Sequence, residues 1–65
     1  MPENIDLIIS LLNYHHTAIT VTWDNYKYKD IFKKYIDENL LILSKPNLIV
    51  TRKLLQYIKE YKNLK

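Results

Sequence analysis

The chain has 65 residues, and its ten Lys or Arg against seven Asp or Glu give a net charge of +3. It contains no cysteine and no glycine, which excludes disulfides, thiolate metal sites and glycine-rich phosphate loops. A chain of this length makes one domain, residues 1–65, which buries only about 60% of the surface that its unfolded chain exposes. Small domains often gain burial by self-association, and we therefore expect a homodimer.

The N-terminal segment predicts a helix that is apolar over most of its circumference. Asn4 is a suitable N-cap, and Asp6 suits the positive end of the helix dipole. The apolar positions are Ile5, Leu7, Ile8, Ile9, Leu11 and Leu12. The segment is too short to span a bilayer and lacks the basic start of a signal peptide, so we expect a soluble, cytoplasmic protein.

Two adjacent histidines, His15 and His16, follow Tyr14 at the predicted end of this helix. Neighbouring side chains on a helix point about 100° apart, so the pair cannot bind one metal ion from helical backbone. A solvated helix end is favoured over a metal or proton-transfer role. No nucleophile or acid/base pair is recognisable either, so the sequence predicts neither an enzyme nor a cofactor.

The segment Thr17 to Trp23 alternates between apolar and polar residues, which predicts a β-strand. Ile19 and Val21 would share one face with Trp23, which we expect to be the largest core side chain. The alternative, a ligand-stacking role for Trp23, is less favoured.

A second helix is predicted from Asp24 or Asn25, as N-cap, to about Glu38. Its core stripe has the helical spacing i, i+3, i+4, i+7 and i+8 and consists of Tyr28, Ile31, Phe32, Tyr35 and Ile36. Asn39 suits the left-handed conformation that ends many helices.

Two aliphatic runs flank Ser44-Lys45-Pro46-Asn47 and predict a β-hairpin over residues 40–50. Pro46 fixes its own φ, and Asn47 tolerates a left-handed conformation, so the chain reverses here. Thr51 is a natural N-cap for a third helix, whose predicted buried residues are Leu54, Leu55, Ile58 and Tyr61. The sequence therefore predicts an α+β domain of order α-β-α-β-β-α with a three-stranded antiparallel sheet.

The segment from Tyr28 to Leu41 resembles the recognition helix of a winged helix-turn-helix domain and its first wing strand, with Asn39 where that family commonly has glycine. Leu48 to Leu55 is similar to the second wing strand and a threonine-capped terminal helix, which forms a dimer in many members. The family places two helices between its first short strand and the wing, but the segment from Trp23 to Asn39 has room for only one good helix. Either the first of them is reduced to a turn near Asp24, or this is a different α+β fold.

The resemblance implies binding to double-stranded DNA by the second helix and the hairpin, in a small transcriptional regulator of phage, viral or archaeal type. Lysine and arginine bind phosphates, and tyrosine can hydrogen-bond to them. The expected DNA-binding residues are Tyr26, Lys27, Lys29, Lys33, Lys34, Lys45, Asn47, Arg52 and Lys53.

The alternative is a protein-binding module, such as a phage-encoded inhibitor that caps a host protein. The chain has six tyrosines and no glycine, and tyrosine is enriched at protein interfaces. Lysines on a helix face are also common as a simple solvated surface. Salt-dependent binding to duplex DNA separates the two functions.

Overall fold

The computed structural model describes residues 1–64. The chain contains three α-helices, one short 3-10 helix and three strands. In chain order these are α1 (Ile5–Leu11), β1 (Ala18–Thr20), the 3-10 helix (Tyr26–Tyr28), α2 (Lys29–Asp37), β2 (Leu41–Ser44), β3 (Asn47–Val50) and α3 (Arg52–Asn63). The predicted α+β class and the order α-β-α-β-β-α are confirmed.

The three strands form one antiparallel sheet, as the sequence predicts. Their order in the sheet is β1-β3-β2. The hairpin turn is Lys45-Pro46, whose peptide bond is cis, and Ser44 pairs with Asn47 on either side of it. Asn47 is therefore the first residue of β3 and does not adopt the expected left-handed conformation.

One face of the sheet packs against the helices and forms the core. Every α-helix and strand contributes buried residues, and Tyr28 of the 3-10 helix packs against them, partly buried. The fully enclosed side chains are Ile5, Ile8, Ile19, Phe32, Tyr35, Leu40, Leu41, Leu48, Leu54 and Ile58. Burying each large side chain of this kind contributes about 1.5–3 kcal/mol, and the single cluster holds the helices on the sheet.

The junctions of α2 and α3 with the hairpin follow the predicted capping chemistry. Asn39 has a φ of 61°. Its N–H donates to the carbonyl of Ile36, and the N–H of Leu40 donates to the carbonyl of Tyr35. These two bonds make the left-handed helix end that the sequence predicts. The Thr51 hydroxyl accepts from the N–H of Leu54, which confirms Thr51 as the N-cap of α3.

The first helix is shorter than predicted, and its ends differ from the expected ones. Asn4 precedes α1 in a left-handed conformation, and its side chain makes no capping bond. The helix ends at Leu11, whereas we expected it to reach Tyr14-His15-His16. Those three residues have positive φ values of 52°, 59° and 66° and form a left-handed turn. Thr17 holds the turn, because its hydroxyl donates to the Tyr14 carbonyl.

The prediction that Trp23 lies in the core is wrong. Strand β1 stops at Thr20, and Trp23 is 94% exposed. The side chain of Asn25 explains the early end of the strand: its Oδ1 accepts from Thr22 N–H and its Nδ2 donates to the Thr20 carbonyl. These bonds turn the chain away from the sheet, so the alternation of side chains does not continue to Trp23.

Asn25 does not cap a long second helix. Its side chain makes no capping bond, and the 3-10 helix separates it from α2. The segment between β1 and the hairpin thus holds one helix and a single preceding turn. In α3, Leu54 and Ile58 are buried as predicted, but Leu55 is 39% exposed, against expectation.

Among residues 1–64, no helix combines the length and the apolar character needed to cross a membrane.

Candidate functional site

A surface groove of about 400 Å³ runs between α2 and the hairpin. The helix contributes residues at i, i+3, i+4 and i+7, which lie on one face, and the hairpin contributes its turn and the adjoining strand ends. The lining residues are Val21, Tyr26, Lys29, Phe32, Lys33, Ile36, Leu43, Lys45, Pro46 and Leu48. The groove forms because α2 packs on the sheet through Phe32, while the adjacent side chains of Lys29 and Lys33 remain exposed along its edge.

The groove has an apolar lining and three cationic side chains. Lys29 and Lys33 come from α2, and Lys45 comes from the hairpin turn. None of its lining residues is acidic, so these charges are not neutralised within the groove. The ammonium of Lys29 lies 5.3 Å from the centroid of the Tyr26 ring, an arrangement that orients the lysine side chain.

A second cleft of about 410 Å³ adjoins the groove and is lined by Val21, Thr22, Trp23 and Tyr26. The two depressions share Val21 and Tyr26, so they adjoin at these residues. Trp23 lines the cleft and the three lysines line the groove, with Lys29 beside the shared Tyr26. We call the whole the Trp–Lys surface, made of the residues that line the groove and the cleft.

Four of the nine predicted DNA-binding residues meet in the groove: Tyr26, Lys29, Lys33 and Lys45. The other five lie elsewhere. Lys34 follows Lys33 in the chain but points to another side of α2, where its Nζ lies 3.1 Å from Oε2 of Glu3.

Lys27 and Lys53 also lie outside the groove. The Lys27 ammonium is 5.3 Å from the ring centroid of Tyr28. Lys53 Nζ donates to the carbonyl of Glu38 at 3.3 Å, at the end of α2 opposite Lys29. The nine-residue helix α2, about 13 Å long, separates this contact from Lys29.

Asn47 and Arg52 lie on other parts of the hairpin region. Asn47 Oδ1 accepts a hydrogen bond of 3.0 Å from the Thr20 hydroxyl across strands β1 and β3. Arg52 begins α3, so the length of β3, about 13 Å, lies between it and the hairpin turn. Five of the nine residues therefore do not line the groove.

Sequence reasoning missed the apolar part of the groove and the exposure of Trp23. One signal was available in the strand: four consecutive aliphatic residues, 40–43, cannot all face one side, because neighbouring side chains alternate. This signal applies to Ile42, which is 56% exposed. It does not apply to Leu43, which is 52% exposed although it shares a face with the buried Leu41. Trp23 carried no comparable signal, since its exposure depends on the side-chain bonds of Asn25.

Other polar groups do not form a chemical centre. His16 Nδ1 lies 3.0 Å from Lys62 Nζ on the exposed surface. Burial, assisted by the negative charges of Glu38, Asp6 and Glu3, raises the pKa of Tyr35 to about 12. Its hydroxyl donates to the Glu3 carbonyl at 2.7 Å, so it serves the structure. Within residues 1–64, no group of three or more His, Cys, Asp or Glu could hold a metal ion.

Comparisons with protein-family models, curated proteins and solved structures gave no match.

Proposed function

We propose that this protein binds DNA through the groove between α2 and the hairpin, acting as a small transcriptional regulator. The observation that carries the proposal is the convergence of Lys29, Lys33 and Lys45 on one groove that has no acidic lining residue. The two elements that the winged-helix resemblance assigns to DNA thus contribute cations to the same place. The net charge of +3 supports attraction to a polyanion.

The number of lysines sets the expected strength of the salt effect. Each phosphate that a lysine neutralises releases condensed counterions, so log affinity falls linearly with log salt, with a slope of about −0.9 per contact on duplex DNA. Three contacts therefore predict a slope of about −2.7. A fluorescently labelled duplex, titrated at several salt concentrations between about 50 and 200 mM, measures this slope by anisotropy.

Two neighbouring lysines of α2 provide a matched test. Lys33→Gln removes a groove cation, and we expect weaker binding with a slope less steep by about one. Lys34→Gln makes the same chemical change at the next residue, but at a side chain paired with Glu3 outside the groove, so binding should stay close to that of the parent. Equal effects of the two substitutions would show that only overall charge matters and would remove the groove from the DNA contact.

A second candidate function is capture of a protein, and the apolar lining of the groove favours it. Leu43 and Tyr26 are each 52% exposed, and an exposed apolar patch commonly marks an interface. Lysines at its edge would suit a partner helix with acidic residues beside an apolar face. Absence of DNA binding even at about 50 mM salt would favour this function.

A further inference from the structure

We infer that the Trp–Lys surface binds single-stranded DNA, with an unpaired base stacked on Trp23 and the adjoining phosphates held by the groove lysines. This inference rests on the proposed DNA-binding function and specifies its ligand. It concerns the cleft beside Trp23, which the resemblance does not assign to DNA.

Trp23 is presented to solvent by a built turn. The side chain of Asn25, itself only 8% exposed, bonds to Thr22 N–H at 2.9 Å and to the Thr20 carbonyl at 2.9 Å. The backbone N–H of Asn25 donates in return to the Thr22 hydroxyl. The turn that carries Trp23 is thus fixed before a ligand arrives, which lowers the entropy lost on binding.

The Trp23 side chain contributes little to the core of the domain. A covered tryptophan buries about 150–250 Å² and is among the strongest contributors to a core or an interface. Here the side chain is 94% exposed, while the chain encloses smaller aliphatic residues completely. The indole therefore offers a large flat surface to a ligand and contributes little to holding the domain together.

The neighbouring aromatic residue has a different role. The Tyr26 ring carries the Lys29 ammonium 5.3 Å from its centroid, so one face is occupied by a cation. Tyr26 also forms the wall shared by the groove and the cleft. It therefore connects the open indole of Trp23 to the lysines of the groove.

The lining of the groove favours unpaired bases over a duplex. Intact duplex DNA presents a polar phosphate backbone on its outside, which suits the groove lysines but leaves the exposed part of Leu43 without an apolar partner. A single strand exposes aromatic base faces that suit an apolar lining, and its phosphates remain free to meet lysines at the edge. The combination of a stacking residue and a cationic groove is what proteins commonly use to bind single strands.

Trp23 is the only tryptophan of the chain, so its fluorescence reports on the cleft directly. The full chain is titrated with a thymine oligonucleotide of about ten residues and, separately, with a duplex of the same length and label. We expect the single strand to bind more tightly and to quench the indole emission, because stacking places a base against the ring.

Substitution at Trp23 tests stacking without disturbing the core. Stacking on an aromatic residue is worth about 1–3 kcal/mol per base, so Trp23→Ala should weaken single-strand binding roughly 5- to 150-fold. Trp23→Phe keeps an aromatic face and should recover much of the affinity. Tyr14→Ala is the matched control, since Tyr14 is 64% exposed but lines neither depression, and it should leave binding unchanged.

The outcomes separate this inference from the proposed function. Duplex binding that is as tight as single-strand binding, with unchanged indole emission and no effect of Trp23→Ala, would overturn the inference and leave DNA binding intact. Failure of both DNA forms to bind at low salt would overturn the two together and turn attention to a protein partner.

Discussion

Tyr35 is the only one of the six tyrosines that is fully buried, at 1% exposure. Its hydroxyl donates to the carbonyl of Glu3 and so ties the segment before α1 to α2. Burial in the core, next to the charges of Glu38, Asp6 and Glu3, raises its pKa to about 12 from an ordinary value of 10.0. The neutral phenol is therefore favoured in the folded state.

The raised pKa of Tyr35 predicts a loss of stability at high pH. Because the folded state binds this proton more tightly than the unfolded state, the contribution is complete below about pH 10 and is lost as pH rises toward about 12. Tyr35→Phe removes the titrating group. The difference in unfolding free energy between parent and variant should therefore shrink over that range, as measured by urea denaturation at several pH values.

An exposed tyrosine provides the comparison for this experiment. Tyr26→Phe removes the hydroxyl of a side chain that is 52% exposed and is measured beside Tyr35→Phe. A constant difference between parent and Tyr35→Phe from about pH 9 to 12 would contradict the assignment.

Trp23 illustrates the limit of sequence reasoning for one side chain. Its size and its place in an alternating pattern both predict burial, yet residue type is only a tendency, because much of a protein surface is apolar. The exposure of Trp23 depends instead on two hydrogen bonds of the Asn25 side chain, one from the Thr22 N–H and one to the Thr20 carbonyl. That arrangement depends on a turn three residues long and could not be recognised from the alternation alone.

At the scale of the element, the end of α2 depends on one left-handed residue. Asn39 has φ 61°, and the bonds to Ile36 and Tyr35 carbonyls both require this conformation. Asn39→Ala should lower the free energy of unfolding by about 1 kcal/mol, because the methyl group disfavours positive φ. Asn39→Gly should be neutral or slightly stabilising, since glycine adopts this conformation without steric cost.

Thermal or urea unfolding of the two variants measures this difference. Since residue 39 is exposed and its side chain is not part of the core cluster, lost packing cannot account for an effect of Asn39→Ala. Equal stability of the alanine and glycine variants would contradict a conformational role for this position.

The elements that the sequence predicted well are those fixed by local chemistry. Thr51, Asn39 and the hairpin turn act on neighbouring backbone groups, so their roles can be read from a few adjacent residues. The end of α1 is different. Asn13 N–H donates to the carbonyl of Ala18, and this pairing across the turn competes with helix continuation. No local signal in Tyr14-His15-His16 shows that the competing interaction prevails.

At the scale of the whole molecule, self-association remains a prediction, for which the sequence alone gives no single interface. The apolar residues of α1 are buried or half-buried within one chain, so this helix gives little reason for a partner. The exposed aliphatic pair Ile42 and Ile49, directly opposed on β2 and β3, provides a better surface. We expect a dimer by light scattering at micromolar concentration.

Substitution on the outer sheet face tests where the dimer forms. Ile42→Thr keeps a β-branched side chain that suits a strand while removing apolar surface, so it should weaken the dimer. Leu55→Gln, at a partly exposed position of α3, is the control and should weaken it instead if α3 is the interface. A monomeric parent chain would contradict self-association altogether.

The groove could be predicted from the sequence only in part. The spacing of Lys29, Phe32, Lys33 and Ile36 indicates one side of α2. Which lysines meet Lys45 depends on how α2 is rotated on the sheet, and the burial of Phe32 and Tyr35 sets that rotation. Lys33 turns toward the hairpin as a result, and Lys34 turns toward Glu3.

The left-handed turn at Tyr14, His15 and His16 has a consequence for the evolution of this chain. Positive φ costs an ordinary residue about 1–2 kcal/mol, and the chain contains no glycine to avoid that cost. A single substitution to glycine at one of these residues would remove part of this conformational cost without changing the core. Substitutions to glycine in this turn could therefore raise the stability of the domain and offset destabilising substitutions elsewhere.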